Sequence, residues 1–213
     1  DERSSDGSVH ESGSYAFLKR RRLDDRSLPV KLLWFRINAP AVWAQAEHVL
    51  TISETLVYLL TNEIAGDAAT ASLTGMLSHR GTSYDPECIA WLKLRDSMLS
   101  RIQLPGTEIA STTGALAAEV GLSPSTSLVA GNLDHVSAAI GAGIGEAAPV
   151  SVSIGTVLAV MKVRQGSPCS PLVDDDGFIT GPYLRPDSCF RLLVRDMGAS
   201  TLEWYRSTFA AKK

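Results

Sequence analysis

No stretch of this sequence is apolar for long enough to cross a membrane as a helix. Its first residues, Asp1-Glu2-Arg3-Ser4-Ser5, are charged and polar where a secretory leader would be apolar. Cysteine is scarce: Cys88, Cys169 and Cys189 are the three in 213 residues. Their odd number argues against a complete disulfide framework, and their separations fit no metal-ligand spacing. A reducing cytoplasm is the expected setting. An excess of one charge is also missing. A formal net charge of -3 is too small for a general electrostatic footprint, so neither a nucleic-acid nor a membrane partner is expected. Two catalytic signatures are absent as well, the Gly-Lys-Ser/Thr phosphate loop and the Gly-x-Ser-x-Gly nucleophile elbow. No internal repeat is found.

What is there suits an ordinary globular protein, 45% hydrophobic and 20% charged, long enough for one large domain or two small ones. Residues 1–28 are polar. The run Lys19-Arg20-Arg21-Arg22 is followed at once by Asp24 and Asp25, so the segment reads as solvated surface, in part disordered. From Pro29 an apolar block (Leu32, Leu33, Trp34, Phe35, Ile37) predicts one short helix, and Ala41-Val42-Trp43 after Pro40 predicts a second. Ser53 is expected to cap a helix carrying Leu56, Val57, Leu59 and Leu60. Asp85-Pro86 marks another helix start, and the helix at 115–120 should end at Gly121. Beyond it the pattern turns to strands: 127–131, then a hairpin of 150–154 and 157–163 turning at Gly155-Thr156, then 178–184 and 189–194. A final helix is expected at 200–209. The class is mixed α and β.

Asp134 is the strongest local candidate for chemistry. It follows an apolar strand and opens a helix rich in small residues, the position where α/β folds meet ligands. A carboxylate there can take the proton of a substrate hydroxyl and sharpen its oxygen as a nucleophile. It can equally cap the helix, and spacing alone leaves both readings open. His135 is read as a packing residue. Gly155 and Thr156 form the second candidate: a glycine at a hairpin turn bares backbone N–H groups and the threonine adds a hydroxyl, a combination that holds phosphate oxygens. A plain turn is the competing account. Gly141-Ala142-Gly143-Ile144-Gly145 ends a helix rather than opening one, which excludes a dinucleotide fingerprint. Glu63 and Asp67 lack a third ligand. His79-Arg80 reads as a surface pair, and Asp174-Asp175-Asp176 before Gly177 as an acidic turn.

The order of these segments resembles one family. Lys31-Leu32-Leu33-Trp34-Phe35 with Pro40-Ala41-Val42-Trp43 is similar to the "KLLWL…PEVW" stretch of the FGGY sugar kinases, such as the xylulokinases. Asn62-Glu63-Ile64-Ala65-Gly66-Asp67 and Ala71-Ser72-Leu73-Thr74 resemble that family's "TGE.ATD…ASGT". Here Asn62 stands for the usual Gly, Gly66 for Thr and Leu73 for Gly. Ala117-Ala118-Glu119-Val120-Gly121-Leu122 with Val129-Ala130-Gly131 resembles "AAE.GL…VVAG". Gly131-Asn132-Leu133-Asp134-His135 is like the segment bearing the catalytic Asp, and residues 151–156 match "VSIGT".

The resemblance implies an α/β fold of the actin-like ATPase (ribonuclease H-like) type, incomplete here. Residues 29–149 would be the later part of the sugar-binding domain and 150–213 the opening of the nucleotide-binding domain. It implies ATP-dependent phosphorylation of a sugar or polyol hydroxyl with magnesium, Asp134 as base, and Gly155 and Thr156 at the phosphates. The magnesium ligands are not assigned. Members begin with an Asp-x-Gly-Thr-type phosphate loop that has no counterpart before Pro29, and continue into a Gly-rich adenine-binding region. Little or no turnover is therefore expected of this polypeptide alone; a sugar-binding protein without catalysis is the alternative. Incomplete sheets should also leave apolar surface and edges uncovered, giving marginal stability or a homo-oligomer unless residues 1–28 cover them.

Overall fold

The computed structural model describes residues 16–19, 23–24, 27–78, 81–145, 149–166, 177–185 and 187–210. The chain opens with helices: α1 (Leu28–Asn38), α2 (Pro40–Gln45) and α3 (Ile52–Thr61). Proline stands in the first turn of both α1 and α2, where its missing N–H costs nothing. The cap of α3 differs from the expected Ser53. Thr51 holds that place: its side chain accepts from Glu54 N at 3.4 Å, while Glu54 Oε2 accepts from Thr51 N at 2.6 Å. This reciprocal pair satisfies two helix-end donors, which a serine two residues further on cannot do.

Short elements follow. Strand β1 (Ala65–Asp67) pairs in parallel with β2 (Arg101–Gln103), and between them lie α4 (Ala68–Leu73), α5 (Pro86–Leu92) and a 3-10 turn, Asp96–Met98. Asp85 caps α5 as expected, accepting from Glu87 N and Cys88 N. Strands β3 (Glu108–Ser111) and β4 (Ser127–Val129) pair antiparallel around α6 (Ala115–Glu119). Gly121 ends α6 at φ 76°, a left-handed conformation with little penalty for glycine. Then comes α7 (Asp134–Gly141), followed by β5 (Val150–Ile154), β6 (Leu158–Gln165), β7 (Ile179–Pro182), β8 (Ser188–Arg195) and α8 (Ala199–Phe209). The last four strands form an antiparallel sheet in the order β5-β6-β8-β7.

Among the described residues two clusters make the core. The first gathers Val30, Leu32 and Leu33 of α1 with Met76, Cys88, Leu92, Leu94 and Met98. Phe17 and Leu18 belong to it too, with Phe17 stacked on Trp91 at 4.3 Å. The N-terminal segment, polar by composition, thus supplies two buried apolar side chains, each worth about 1.5–3 kcal/mol of burial. The second cluster joins Val136, Ala139 and Ile144 to Ala159, Met161, Val163, Phe190 and Leu192 of the sheet, with Ala69 from α4. Segments on both sides of position 150 therefore share one core.

Three departures from the family pattern have distinct local settings. Asn62 sits at φ 62° as the C-cap of α3, a conformation asparagine tolerates next best after glycine. At Gly66 a Cβ would meet Glu54 Oε1 at 2.5 Å, so a side chain there would have to displace the Glu54 carboxylate. Leu73 ends α4 with its side chain exposed.

Candidate functional site

Asp134 is the first residue of α7, and its side chain is exposed. The cap position belongs to Leu133, which has no capping side chain. Asp134 Oδ1 accepts from His135 N at 2.6 Å; nothing else among the described residues engages the carboxylate. It is an open acceptor held in the first turn, where the helix end favours negative charge. The residues before it are also open. Gly131 has room for a Cβ with nothing within 4 Å. Asn132 folds its Oδ1 onto Leu133 N at 2.9 Å, leaving its Nδ2 buried without a hydrogen-bond partner.

Gly155 and Thr156 lie in the turn between β5 and β6, as expected from the sequence. The turn is closed from within, because Gly155 N donates to Val157 O at 3.0 Å. Its carbonyls face α8: Gly155 O accepts from Ala199 N at 2.6 Å and Thr156 O from Gly198 N at 3.2 Å. A Cβ on Gly198 would lie 2.6 Å from the Val157 carbonyl carbon, so glycine permits this approach. The bare Gly155 N–H anticipated for a phosphate nest is thus occupied. What the turn offers outward is the exposed Thr156 side chain and open space beside Gly155.

Helix α7 relates the two positions. It packs on the inner face of the sheet with Val136 and Ala139 against the cluster of Ala159 and Met161. Its tail meets the far end of β6: a Cβ on Gly145 would touch Val163 Cγ1 at 3.7 Å, and Tyr183 Oη donates to Ile144 O at 3.2 Å. Val163 is five residues along the strand from Leu158, or about 17 Å from the turn. The tail of α7 therefore lies at the end of β6 remote from the turn. Ser151 and Ser153 lie on the same face, opposite Met161 and Ala159. No described hydrogen bond joins Asp134 to Gly155 or Thr156.

The remaining candidates separate. Asp67 caps α4, accepting from Thr70 N at 2.7 Å, and Glu63 is exposed. Among the described residues no group of three His, Cys, Asp or Glu side chains is arranged to hold a metal ion. His79-Arg80 and Asp174-Asp175-Asp176 lie outside the described residues. Cys88 and Cys189 are buried thiols. A cavity of about 410 Å³ lined by Ile140, Gly145, Tyr183, Arg185 and Asp187 lies at the tail of α7, away from Asp134. Among the described residues no helix is long and apolar enough to cross a membrane.

Sequence reasoning missed a polar cluster beneath α3. Glu54 is buried, and its Oε1 accepts from Ser100 Oγ and, at 3.4 Å, from Tyr84 Oη. Tyr84 Oη and Ser100 Oγ are 2.8 Å apart. Burial first, and then the Glu54 carboxylate, push the Tyr84 hydroxyl well above the usual tyrosine value. The Thr51-x-x-Glu54 spacing signalled the helix start. Nothing local could foretell Tyr84 and Ser100, which arrive from 30 and 46 residues away.

Comparison with known proteins bears on the family and the fold. The model of the FGGY family of carbohydrate kinases, N-terminal domain, matches residues 26–141, more than half of the chain. The autoinducer-2 kinase of Yersinia pestis (strain Pestoides F) is 28% identical over 185 residues, covering 86% of this chain and 34% of that protein. Among solved structures, the xylulose kinase of Lactobacillus acidophilus superposes with a TM-score of 0.81 at 20% identity, over 98% of this chain and 43% of its own. The glycerol kinase of Plasmodium falciparum, solved with ADP, gives 0.75 at 16% identity, over 97% and 42%. The chain spans about a third of the curated relatives' length. Its fold is the mixed α/β, actin-like ATPase fold of the sugar kinases, represented in part, and the chain belongs to the FGGY family of carbohydrate kinases.

Proposed function

We propose that this chain carries the acceptor-activating part of a carbohydrate kinase. Asp134 accepts the proton of a sugar or polyol hydroxyl, whose oxygen then attacks the γ-phosphorus of ATP as the bond to ADP breaks. The observation that supports this reading most is the open carboxylate of Asp134 in the first turn of α7, with the His135 N–H as its one described partner. A general base of this kind contributes about 10²–10⁴-fold. The Thr156 hydroxyl, with the space beside Gly155, is the phosphate-facing element. Residues 29–149 form the acceptor side in this reading and 150–213 the start of the nucleotide side. Magnesium would screen the phosphates, but the described residues do not by themselves make its site, so it would be held chiefly by ATP and water. The reaction belongs to the cytoplasm, where buried thiols stay reduced.

Xylulose, gluconate and glycerol, the substrates in the names of structural neighbours, form the test panel. With Mg-ATP, low turnover of one of them is expected. Asp134→Asn should reduce it by about 10²-fold or more at an unchanged melting temperature. Full turnover by that variant would remove Asp134 from the mechanism. The internally bonded Gly155 N–H favours a second reading, a sugar-binding protein without phosphoryl transfer. Calorimetric binding of a sugar with no binding of Mg-ATP would select it.

A further inference from the structure

The β4–α7 junction holds an amide whose placement the fold does not explain. Among the described residues Asn132 Nδ2 donates to nothing. Its Oδ1 is engaged by Leu133 N at 2.9 Å, which fixes which end of the amide is oxygen. Its Nδ2 is then left buried without a partner. A buried donor of this kind is destabilising and uncommon in native proteins. Beside it Gly131 is exposed, has no positive φ that would demand glycine, and has nothing within 4 Å of where a Cβ would be. Neither strain nor packing among the described residues calls for glycine there. Two positions further on stands the open carboxylate of Asp134. An orphaned donor, an unfilled space and an open acceptor within four residues make a complementary set for a polyhydroxylated ligand.

We propose that Asn132 is a specificity-determining residue that donates Nδ2–H to a second oxygen of the phosphoryl acceptor, a hydroxyl or carbonyl neighbouring the hydroxyl that Asp134 deprotonates. Without ligand the amide is folded back on Leu133. The terminal torsion of asparagine is broad, so the side chain turns toward the Gly131 space when an oxygen is there to receive it. Gly131 keeps that space clear. The proposal rests on the kinase reading of Asp134 but makes a separate claim, because a base needs one oxygen and this donor requires a second.

The test is calorimetric titration of the 213-residue chain with xylulose, gluconate and glycerol, repeated on Asn132→Asp, Asn132→Leu and Gly131→Val, with thermal melting of each. Asn132→Asp keeps the volume and the acceptor used by Leu133 while removing the donor. About tenfold weaker binding by both Asn132 variants, the loss expected for one hydrogen bond, with melting no lower than the parent, supports the proposal. Weaker binding by Gly131→Val at unchanged melting supports the space. Equal binding by parent and Asn132 variants overturns the Asn132 role and leaves the kinase reading intact. Weaker binding only in step with lower melting overturns it in favour of a structural role. Failure of the parent to bind any of the three overturns both.

Discussion

Glu54 and Asp134 each lie in the first turn of a helix, and they are used in opposite ways. Glu54, in α3, is buried and meets Thr51 N, Ser100 Oγ and Tyr84 Oη. Asp134, in α7, is exposed and meets one backbone N–H of its neighbour. The first has its acceptor capacity spent on the protein and ties α3 to residues far along the chain. The second keeps its capacity free. Saturation inside the protein is what separates a structural carboxylate from one available to a substrate.

The sharpest way to break this contrast is to remove each carboxylate in turn. Glu54→Ala takes away the acceptor of Thr51 N, Tyr84 and Ser100, leaving the two hydroxyls only each other, and should cost about 2–4 kcal/mol, read from the urea midpoint. Asp134→Asn should stay within about 0.5 kcal/mol. Equal costs would erase the distinction. A second experiment probes the turn whose carbonyls receive the start of α8. Gly198→Ala sets a Cβ 2.6 Å from a Val157 backbone atom, which cannot yield as a side chain would. About 1–3 kcal/mol is expected, with faster hydrogen exchange at the Ala199 amide; unchanged exchange would show that the turn does not hold α8.

The smallest effect is one of pH. Folded Tyr84 holds its proton more tightly than the unfolded chain does, so its contribution is complete below the unfolded value near 10. Above that value the unfolded chain releases a proton that the folded chain keeps, and stability falls with rising pH. Tyr84→Phe lacks this term. Its deficit at pH 8, about 1 kcal/mol, should shrink between pH 10 and 11 in denaturant titrations; a constant deficit would contradict the buried-phenol account.

How much of this could be read from the sequence depends on distance along the chain. Asp85-Pro86, the Gly121 stop, the 150–154 strand and the Asp134 helix start rest on neighbours within a few residues, and each falls where expected. The cap of α3 is Thr51 rather than the expected Ser53, because two hydroxyl residues compete at that start; Asp134, for which the sequence leaves cap and base both open, stands one residue inside α7, with Leu133 at the cap position. The β1–β2 pairing joins residues 36 apart through three-residue strands, too short for a period to show. Phe17 and Leu18 were hidden by the charges around them. At the candidate site the residue types were legible, but the closed Gly155 N–H and the orphaned Asn132 amide depend on orientation, which no pattern of letters encodes. Ile52, Leu56 and Leu59 form an exposed stripe on α3.

The attachment of α8 has an evolutionary consequence. The helix is held through backbone groups, Gly198 N and Ala199 N on the carbonyls of the turn, and none of its own residues is buried. Bonds of that kind survive almost any substitution from Ser200 onward. Drift should therefore run freely through Leu202, Trp204, Tyr205 and Phe209 as far as the folding of the described residues is concerned. Selection would act instead on Gly198 and on the turn that receives it, so two halves of one short segment would evolve at different speeds.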